Sequence, residues 1–232
     1  MKRITGRPAR WLFPGIFFLL LAACAVPGPD MNIPLRGTDC AACPRVFQKG
    51  SWQFVHDITF RFPAGQGRFL GVVSFDDQEL RCALTTLEGL TIFAARAQAS
   101  GTEERTNEPI QVERALPPLD KPGFAAGLIA DLRLLFTAPD GTPRCDAGAN
   151  ASAGEKFCRW QKNGEITDVT IGQDGCWTIQ VFRGGRLART ARASDCAARD
   201  GHIIPAAMSL RATGDADYEL TMRLVSAEKT GK

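Results

Sequence analysis

Apolar and polar residues alternate along most of the chain from Trp52 onward, and this alternation constrains the fold more than any other feature. In the first run, apolar side chains stand at nearly every second position between Trp52 and Phe62. A period of two is typical of a β-strand with one buried face. Similar runs follow at 68–75, 80–86, 90–98 and 110–116, and again at 166–172, 176–183, 186–193, 203–212 and 217–226.

Short turn segments separate many neighbouring runs, as at 76–77, 88–89 and 184–185. Parallel strands need crossover connections of a dozen or more residues, which these turns are too short to supply. The sequence therefore predicts two antiparallel strand sets. The predicted fold class is mainly β (α+β), with about ten to eleven strands and one or two helices.

One segment between the two strand sets has a different period. Apolar residues recur at helical spacing from Phe124 to Phe136, with Asp120 before them and Pro139 after them. This predicts one amphipathic helix capped by Asp120, followed by irregular chain as far as Gly164. A helix of about 14 residues is about 20 Å long and cannot cover a ten-stranded sheet. We therefore expect an apolar cavity on the sheet face that the helix covers.

Residues 1–24 have the layout of an export signal. Basic residues precede an apolar run, WLFPGIFFLLL, that is too short to span a bilayer comfortably. The run ends in Leu21-Ala22-Ala23-Cys24, which resembles the bacterial lipobox. The resemblance implies cleavage before Cys24, a diacylglycerol thioether on its sulfur and acylation of the new amino terminus. An ordinary secretory signal cut after Ala23 would instead leave Cys24 as a plain thiol.

The lipobox resemblance divides the chain into three parts. These are a signal peptide at 1–23, the lipidated Cys24 with a tether at 24–44, and a single domain at 45–232. Triacylation would hold Cys24 in the membrane for good. Ala25 follows, where many Gram-negative bacteria use Asp to retain lipoproteins in the inner membrane, so we expect a lipid-anchored outer-membrane protein that faces the periplasm.

Charge and histidine content argue against several functions. The formal net charge of the whole chain is +3, and removal of the four basic residues of the signal leaves 24 Lys and Arg against 25 Asp and Glu. Without a dense basic stripe we expect no nucleic-acid partner. With two His residues and no GxSxG motif we expect no catalytic residues, no metal and no cofactor. His56 lies among aromatic residues and is expected to be a hydrogen-bonded core residue.

Seven cysteines remain once Cys24 is set aside, and an oxidising periplasm should pair most of them. An odd number leaves at least one unpaired thiol or an intermolecular bond. The expected pairs are Cys145 with Cys158, which flank a polar loop, and Cys176 with Cys196, which flank a Gly-Gly turn. Cys40 and Cys43 form a CxxC without the flanking pattern of a redox fold, so a structural role or a link to Cys82 is expected.

Four passages resemble, in their order along the chain, the Lol-type carriers of the bacterial envelope, which comprise a periplasmic lipoprotein chaperone and an outer-membrane lipoprotein receptor. They are WQFVHDITFRFPAGQGRF, LRCALTTLEGLTIFAA, FAAGLIADLRLLF, and EITDVTIGQDGCWTIQVFRGG followed by IIPAAMSLRATGDADYELTMRL. The helix passage also resembles an uncharacterised outer-membrane lipoprotein branch of that superfamily. The resemblance implies a LolA/LolB-like open antiparallel half-barrel, with its helices as a lid over an apolar concave face.

The same resemblance implies where cargo would bind. In the receptor, an apolar residue on the loop between the third and fourth strands helps to insert lipoproteins, and the matching loop here offers Leu87 and Leu90. Both could equally be core residues at strand ends. Residues that line an acyl-binding cavity or fill an ordinary core are of the same types; those expected here are Trp52, Phe54, Ile58, Phe60, Leu128, Leu132, Trp177, Ile179, Tyr218, Leu220 and Met222.

The resulting functional prediction is an outer-membrane lipoprotein that binds acyl chains of a lipoprotein or envelope lipid and assists their transfer, without covalent catalysis. Its expected partners are those acyl chains, the membrane through the Cys24 anchor, and a periplasmic carrier protein. The first alternative is a structural or partner-binding lipoprotein with a filled core. A more distant one is a thiol-disulfide protein that uses Cys40 and Cys43.

Overall fold

The chain forms twelve β-strands and one α-helix in a computed structural model, which describes residues 28–29, 40, 43–63, 65–99, 110–145, 154–199, 201–213 and 217–231. A short 3-10 helix spans Cys43–Val46. The elements that follow are β1 (Trp52–Phe62), β2 (Gly65–Phe75), β3 (Glu79–Thr85), β4 (Thr91–Gln98), β5 (Gln111–Ala115), α1 (Phe124–Phe136), β6 (Arg144–Cys145), β7 (Lys156–Lys162), β8 (Glu165–Ile171), β9 (Trp177–Arg183), β10 (Arg186–Arg199), β11 (His202–Ala212) and β12 (Tyr218–Lys229).

All twelve strands belong to one curled, open sheet in the order β5-β4-β3-β2-β1-β12-β11-β10-β9-β8-β7-β6. Every neighbouring pair is antiparallel, as the short turns predicted. The two meanders join where β1 pairs with β12, with Ile58 opposite Met222 and Phe60 opposite Leu220. The mainly antiparallel fold class is therefore confirmed, although the sheet has twelve strands where ten to eleven were expected.

The two ends of the sheet are consecutive in sequence, because β5 and β6 are the edge strands. The connection between them must therefore travel from one edge to the other. It contains α1, whose buried side chains pack against the concave face. Topology thus places this helix across the open side of the half-barrel.

The helix spans the residues that its apolar spacing predicted, but the expected cap is wrong. The N-cap position is Gly123, in the left-handed conformation with φ of +82°, and it makes no side-chain capping hydrogen bond. Asp120 lies outside the helix, in a turn. A left-handed residue costs little only when it is glycine, so Gly123 sets the angle at which the chain enters α1.

The stretch predicted to be irregular contains the two additional strands, β6 and β7. In β7 three consecutive residues, Cys158, Arg159 and Trp160, are buried, so no alternation is visible in the sequence. Cys158 and Trp160 belong to the apolar core, whereas Arg159 forms a two-point ion pair with Asp168 of β8, at 2.6 and 2.7 Å. Strands buried on both faces cannot be recognised by a period of two.

Three disulfides join the described cysteines. Cys176 pairs with Cys196, as expected, with their Cα atoms 5.4 Å apart. The expected Cys145–Cys158 bond is wrong: these residues face each other on β6 and β7, but each bonds to the CxxC. The pairs are Cys40–Cys145 and Cys43–Cys158, with Cα–Cα distances of 5.7 and 5.9 Å.

The CxxC therefore has a structural role, as expected, but not the expected link to Cys82, whose thiol is free and buried. Both CxxC cysteines are cross-linked, so neither offers a thiol for exchange or metal binding. The two bonds fix the segment before β1 to the far edge of the sheet, and the 3-10 helix between them and β1 contributes Val46 to the core.

The expected signal, the lipid-anchor residue Cys24 and most of the tether lie outside the described residues. Within the described ranges, no helix has the length and apolar character needed to cross a membrane.

Candidate functional site

The concave face of the sheet is occupied by α1, which packs through aromatic rings at both of its ends. At the C-terminal end, Phe136 stacks on Phe54 with ring centroids 5.3 Å apart, and Phe75 lies 5.9 Å from the same ring. At the N-terminal end, Phe124 contacts Phe93 edge-on at 5.2 Å and Phe60 at 6.3 Å. Aromatic pairs at these separations are favourable beyond their burial.

The residues expected to line an acyl cavity all belong to this packed layer or contact it. Tyr218 is partly buried, and the others expose at most 6% of their surface. None of them borders either of the two cavities described below. In this state the concave face is filled by α1 instead of being open, so an acyl chain could reach these side chains only where the helix moves aside. They are Trp52, Phe54, Ile58, Phe60, Leu128, Leu132, Trp177, Ile179, Tyr218, Leu220 and Met222.

His56 lies within the same layer, and its expected hydrogen bond is absent from the described part of the chain. Its side chain is 1% exposed, its ring lies 5.9 Å from that of Phe136, and neither ring nitrogen has a hydrogen-bond partner. Burial lowers the pKa of His56 from 6.5 to about 4, because the charged form is poorly solvated there. The histidine is therefore neutral at pH 7 and unpaired beneath the helix.

Cys82 is a second chemically distinctive group of the concave face. It lies on β3 opposite Val73 and Ala95, and it is 6% exposed. Burial raises the pKa of its thiol to about 12, so very little thiolate is present at neutral pH. Among the described residues it is the one free cysteine. It is thus a native chemical marker for access to the concave face.

The buried side of α1 also carries a charge. Asp131 is 1% exposed and accepts a hydrogen bond from Arg189 Nε of β10 at 2.5 Å. Burial raises the pKa of Asp131, and the adjacent guanidinium opposes that shift. Sequence reasoning missed this residue, although a signal was present: Asp131 lies three residues after Leu128 and four before Leu135, within the apolar stripe of the helix.

A cavity of about 250 Å³ lies between the C-terminal half of α1 and strands β7 to β10. Its apolar wall includes Leu134, Trp160 and Val181, and its polar wall carries Lys162, Arg183, Arg189 and Arg133. Three of these cations are paired with acids: Lys162 with Asp140 at 3.2 Å, Arg183 with Glu165 at 2.5 Å, and Arg189 with Asp131. Sequence reasoning identified none of the four cations.

A second cavity of about 390 Å³ lies at the other end of these strands, next to the 3-10 helix. It is bordered by Arg45, Lys156, Gln173 and Ile203, together with glycine backbone. Gly154 is one of these glycines.

The loop between β3 and β4 presents two leucines to solvent. Leu87 is 57% exposed and Leu90 is 52% exposed, so neither is a core residue. The loop is closed by a hydrogen bond from Thr86 N to the Leu90 carbonyl at 2.9 Å, and Gly89 within it has a φ of +89°. The backbone hydrogen bonds hold the two apolar side chains on a short, well-defined tip.

No protein-family model matches the sequence, and no curated protein matches it either. Solved structures do. The chain is similar to a putative outer membrane lipoprotein-sorting protein domain from Vibrio parahaemolyticus, with a TM-score of 0.52 and 9% identity over 81% of this chain and 88% of that one. It also matches a LolA superfamily protein from Nitrosomonas europaea, with a TM-score of 0.47 and 9% identity over 83% of this chain and 92% of that one.

At this level of identity the likeness concerns the fold. The chain has a LolA/LolB-like fold, which is the resemblance that its strand and helix passages predicted. Its alignment with the Vibrio domain extends over most of both chains, so the likeness applies to the whole half-barrel.

Proposed function

We propose that this chain binds the acyl chains of a lipoprotein or envelope lipid on the concave face of its sheet, in the place that α1 occupies here, and passes them to the membrane without covalent chemistry. The observation that carries the proposal is the position of α1. In a LolA/LolB-like half-barrel, this single helix is the element that fills the concave face.

The chemistry of the face supports an aliphatic ligand. Apart from His56 and Arg189, the side chains beneath α1 are apolar or aromatic, and their recognition of a methylene chain would come from burial alone. Each buried CH₂ group contributes about 0.8 kcal/mol, and each buried Leu or Phe about 1.5 to 3 kcal/mol. About ten methylenes therefore offset the exposure of about three to five helix side chains.

Few polar contacts hold α1 on the sheet, which supports the proposal that a ligand displaces it. Its N-terminus lacks a side-chain cap, and Gly123 before it is a flexible position. Its described polar contacts with the sheet are the Asp131–Arg189 ion pair and two hydrogen bonds from Arg133 to the Gln98 carbonyl, at 2.6 and 3.1 Å. Release of the helix thus breaks few polar contacts, and an equilibrium between filled and open faces follows from modest free-energy differences.

Anchoring and delivery complete the proposal. A lipid on Cys24 would attach the domain to the outer membrane, facing the periplasm, through the tether that leads to Cys40. Leu87 and Leu90 on the β3–β4 tip are the side chains that would enter the lipid surface during delivery. A periplasmic carrier would supply the cargo. The proposal requires no cofactor, metal or nucleic acid.

Binding can be tested with a dipalmitoylated lipopeptide and the chain from residue 25 onward, which keeps every contact described here. Native mass spectrometry should show a one-to-one complex. The variant Leu132→Ala should bind more tightly than the wild type, by about 30-fold, because loss of about 2 kcal/mol of helix packing raises the population of the open face. A preformed pocket lined by Leu132 would respond in the opposite direction.

The matched control is Phe182→Ala. Phe182 is 4% exposed, but it does not belong to the concave core cluster, so its loss destabilises the fold without loosening α1. Its affinity for the lipopeptide should equal that of the wild type. If neither the wild type nor the Leu132→Ala variant formed a complex with the lipopeptide, the proposal would be contradicted. That result would favour the second candidate, a partner-binding protein with a filled core, which the close packing of the concave face suggests.

A further inference from the structure

We infer that the 250 Å³ cavity beside α1 binds the anionic end of a single-chain amphiphile, with Arg133 as the cation that receives it. The cavity borders the concave core at Trp160 and Val181, and it exists while α1 remains in place. The inference therefore goes beyond the proposed function and does not depend on the helix moving aside.

The charges at the cavity wall do not balance. Four cations border the cavity, and three of them are neutralised by Asp131, Asp140 and Glu165. Arg133 has no ion pair of its own within the described chain: it donates two hydrogen bonds to the Gln98 carbonyl, and the acid that favours its charged form, Asp140, is already paired with Lys162. Four cations thus share three carboxylates at this site, which leaves one positive charge in excess that one bound anion would balance.

The guanidinium of Arg133 has spare donors in a fixed geometry. A guanidinium has five N–H donors, and the bonds from Nε and Nη2 to Gln98 use two of them. Those bonds also hold the planar group in place at the cavity wall. A fixed guanidinium with spare donors is suited to the oxygens of a carboxylate or a phosphate.

Part of the remaining cavity wall is apolar. Leu134, Trp160 and Val181 provide an apolar surface beside the cations, and Trp160 and Val181 are at least 97% buried. A volume of about 250 Å³ lies just below the usual range of small-molecule sites. It suits a head group with the first part of one chain, and not a complete diacyl lipid.

Calorimetric titration of the chain from residue 25 with decanoate and with decyl phosphate tests the inference. Both should bind, and Arg133→Met should weaken each by about tenfold or more, the effect of one charge-assisted hydrogen bond. The neutral 1-decanol should bind more weakly than decanoate, and Arg133→Met should not change its affinity. Arg114→Met is the control, because Arg114 also donates to a backbone carbonyl, at 3.0 Å from Thr91, but lies away from the cavity.

Equal affinity of decanoate for wild type and Arg133→Met would overturn the inference, as would equal affinity for decanoate and 1-decanol. Inorganic phosphate that binds as well as decyl phosphate would show a simple anion site and would overturn the amphiphile assignment. Arg133→Lys keeps the charge but loses the planar fork. A merely structural role of Arg133 predicts that Lys and Met weaken binding alike, whereas the inference predicts that Lys retains most of it.

The decanoate experiment can fail without the lipopeptide experiment failing, so the two proposals are tested separately. Leu132→Ala, which loosens α1, should raise the affinity for the lipopeptide and leave the affinity for decanoate unchanged. Loss of decanoate binding in Arg133→Met, with lipopeptide binding retained or tightened because the helix loses its hydrogen bonds to Gln98, supports both accounts. Lipopeptide binding without any decanoate binding would overturn this inference alone.

Discussion

Removal of both CxxC disulfides should lower the free energy of unfolding by about 8 kcal/mol, which is comparable to the whole stability of an ordinary domain. Cys40–Cys145 and Cys43–Cys158 close nearly the same long loop, with sequence separations of 105 and 115. With either bond gone, the other still closes that loop. The first removal therefore opens only the small ring between the two bonds, whereas the second releases the entire loop.

The expected steps are about 3 kcal/mol for Cys43→Ala with Cys158→Ala, and about 5 kcal/mol more when Cys40→Ala and Cys145→Ala are added. Urea unfolding of the oxidised proteins measures both. Cys82→Ala is the control, because Cys82 closes no loop. Equal costs for the first and second disulfide, or a four-alanine variant within about 1 kcal/mol of wild type, would show that the two bonds do not act as a redundant pair.

Replacement of His56 by leucine should make the domain more stable and remove a large part of its acid sensitivity. The pKa of His56 is 6.5 when unfolded and about 4 when folded, since burial disfavours the charged ring. A depressed folded pKa means that its contribution is fully present above pH 6.5 and is lost as the pH falls toward 4. The loss amounts to about 3 kcal/mol at full protonation.

His56→Leu also removes two buried ring nitrogens that have no partner in the described structure, which should add about 1 to 3 kcal/mol at pH 7.5. Urea unfolding of wild type and variant at pH 7.5, 5.5 and 4.0 measures the difference, and the carboxylates common to both proteins cancel. Parallel stability profiles across this range would mean that His56 is solvated or hydrogen-bonded in solution.

The strand pattern of the sheet could be predicted from the sequence because most strands bury one face only. The alternation of burial is visible in β1 from Trp52 to Phe60 and in β12 from Glu219 to Leu224. β7 escaped prediction because Arg159 is buried on the face that strands of this sheet usually expose. Its neutralising partner, Asp168, lies on the next strand.

Long-range pairing could not be deduced from local pattern. The two cysteines flanking the polar loop do lie opposite each other, but the CxxC reaches them across more than a hundred residues of intervening chain. Their proximity depends on the order of all twelve strands, which brings β6 and the segment before β1 together. The pair Cys176–Cys196 was predictable because one hairpin, β9 with β10, joins its two members.

The residues of the concave face could be predicted from the sequence, but whether that face is open or filled by α1 could not. Residues such as Phe54 and Leu220 lie on the concave face, as alternation requires, yet the same residues serve an open cavity or a filled core. The strand count suggested that one helix is too short to cover the face. At the two ends of α1, the rings of Phe124 and Phe136 contact aromatic residues of the sheet. A helix of 13 residues therefore fills more of the concave face than its length indicates.

The central claim is that acyl chains replace α1 on the concave face, and the native thiol of Cys82 tests it most directly. A lipopeptide whose palmitoyl chain ends in a pyridyl disulfide would carry a reactive group to the place where the chain end lies. We predict that it modifies Cys82 with saturating kinetics, at least tenfold faster than a small polar pyridyl disulfide, and that excess unmodified lipopeptide blocks the reaction. Modification of Cys82 at the same slow rate by both reagents, without competition, would contradict the account.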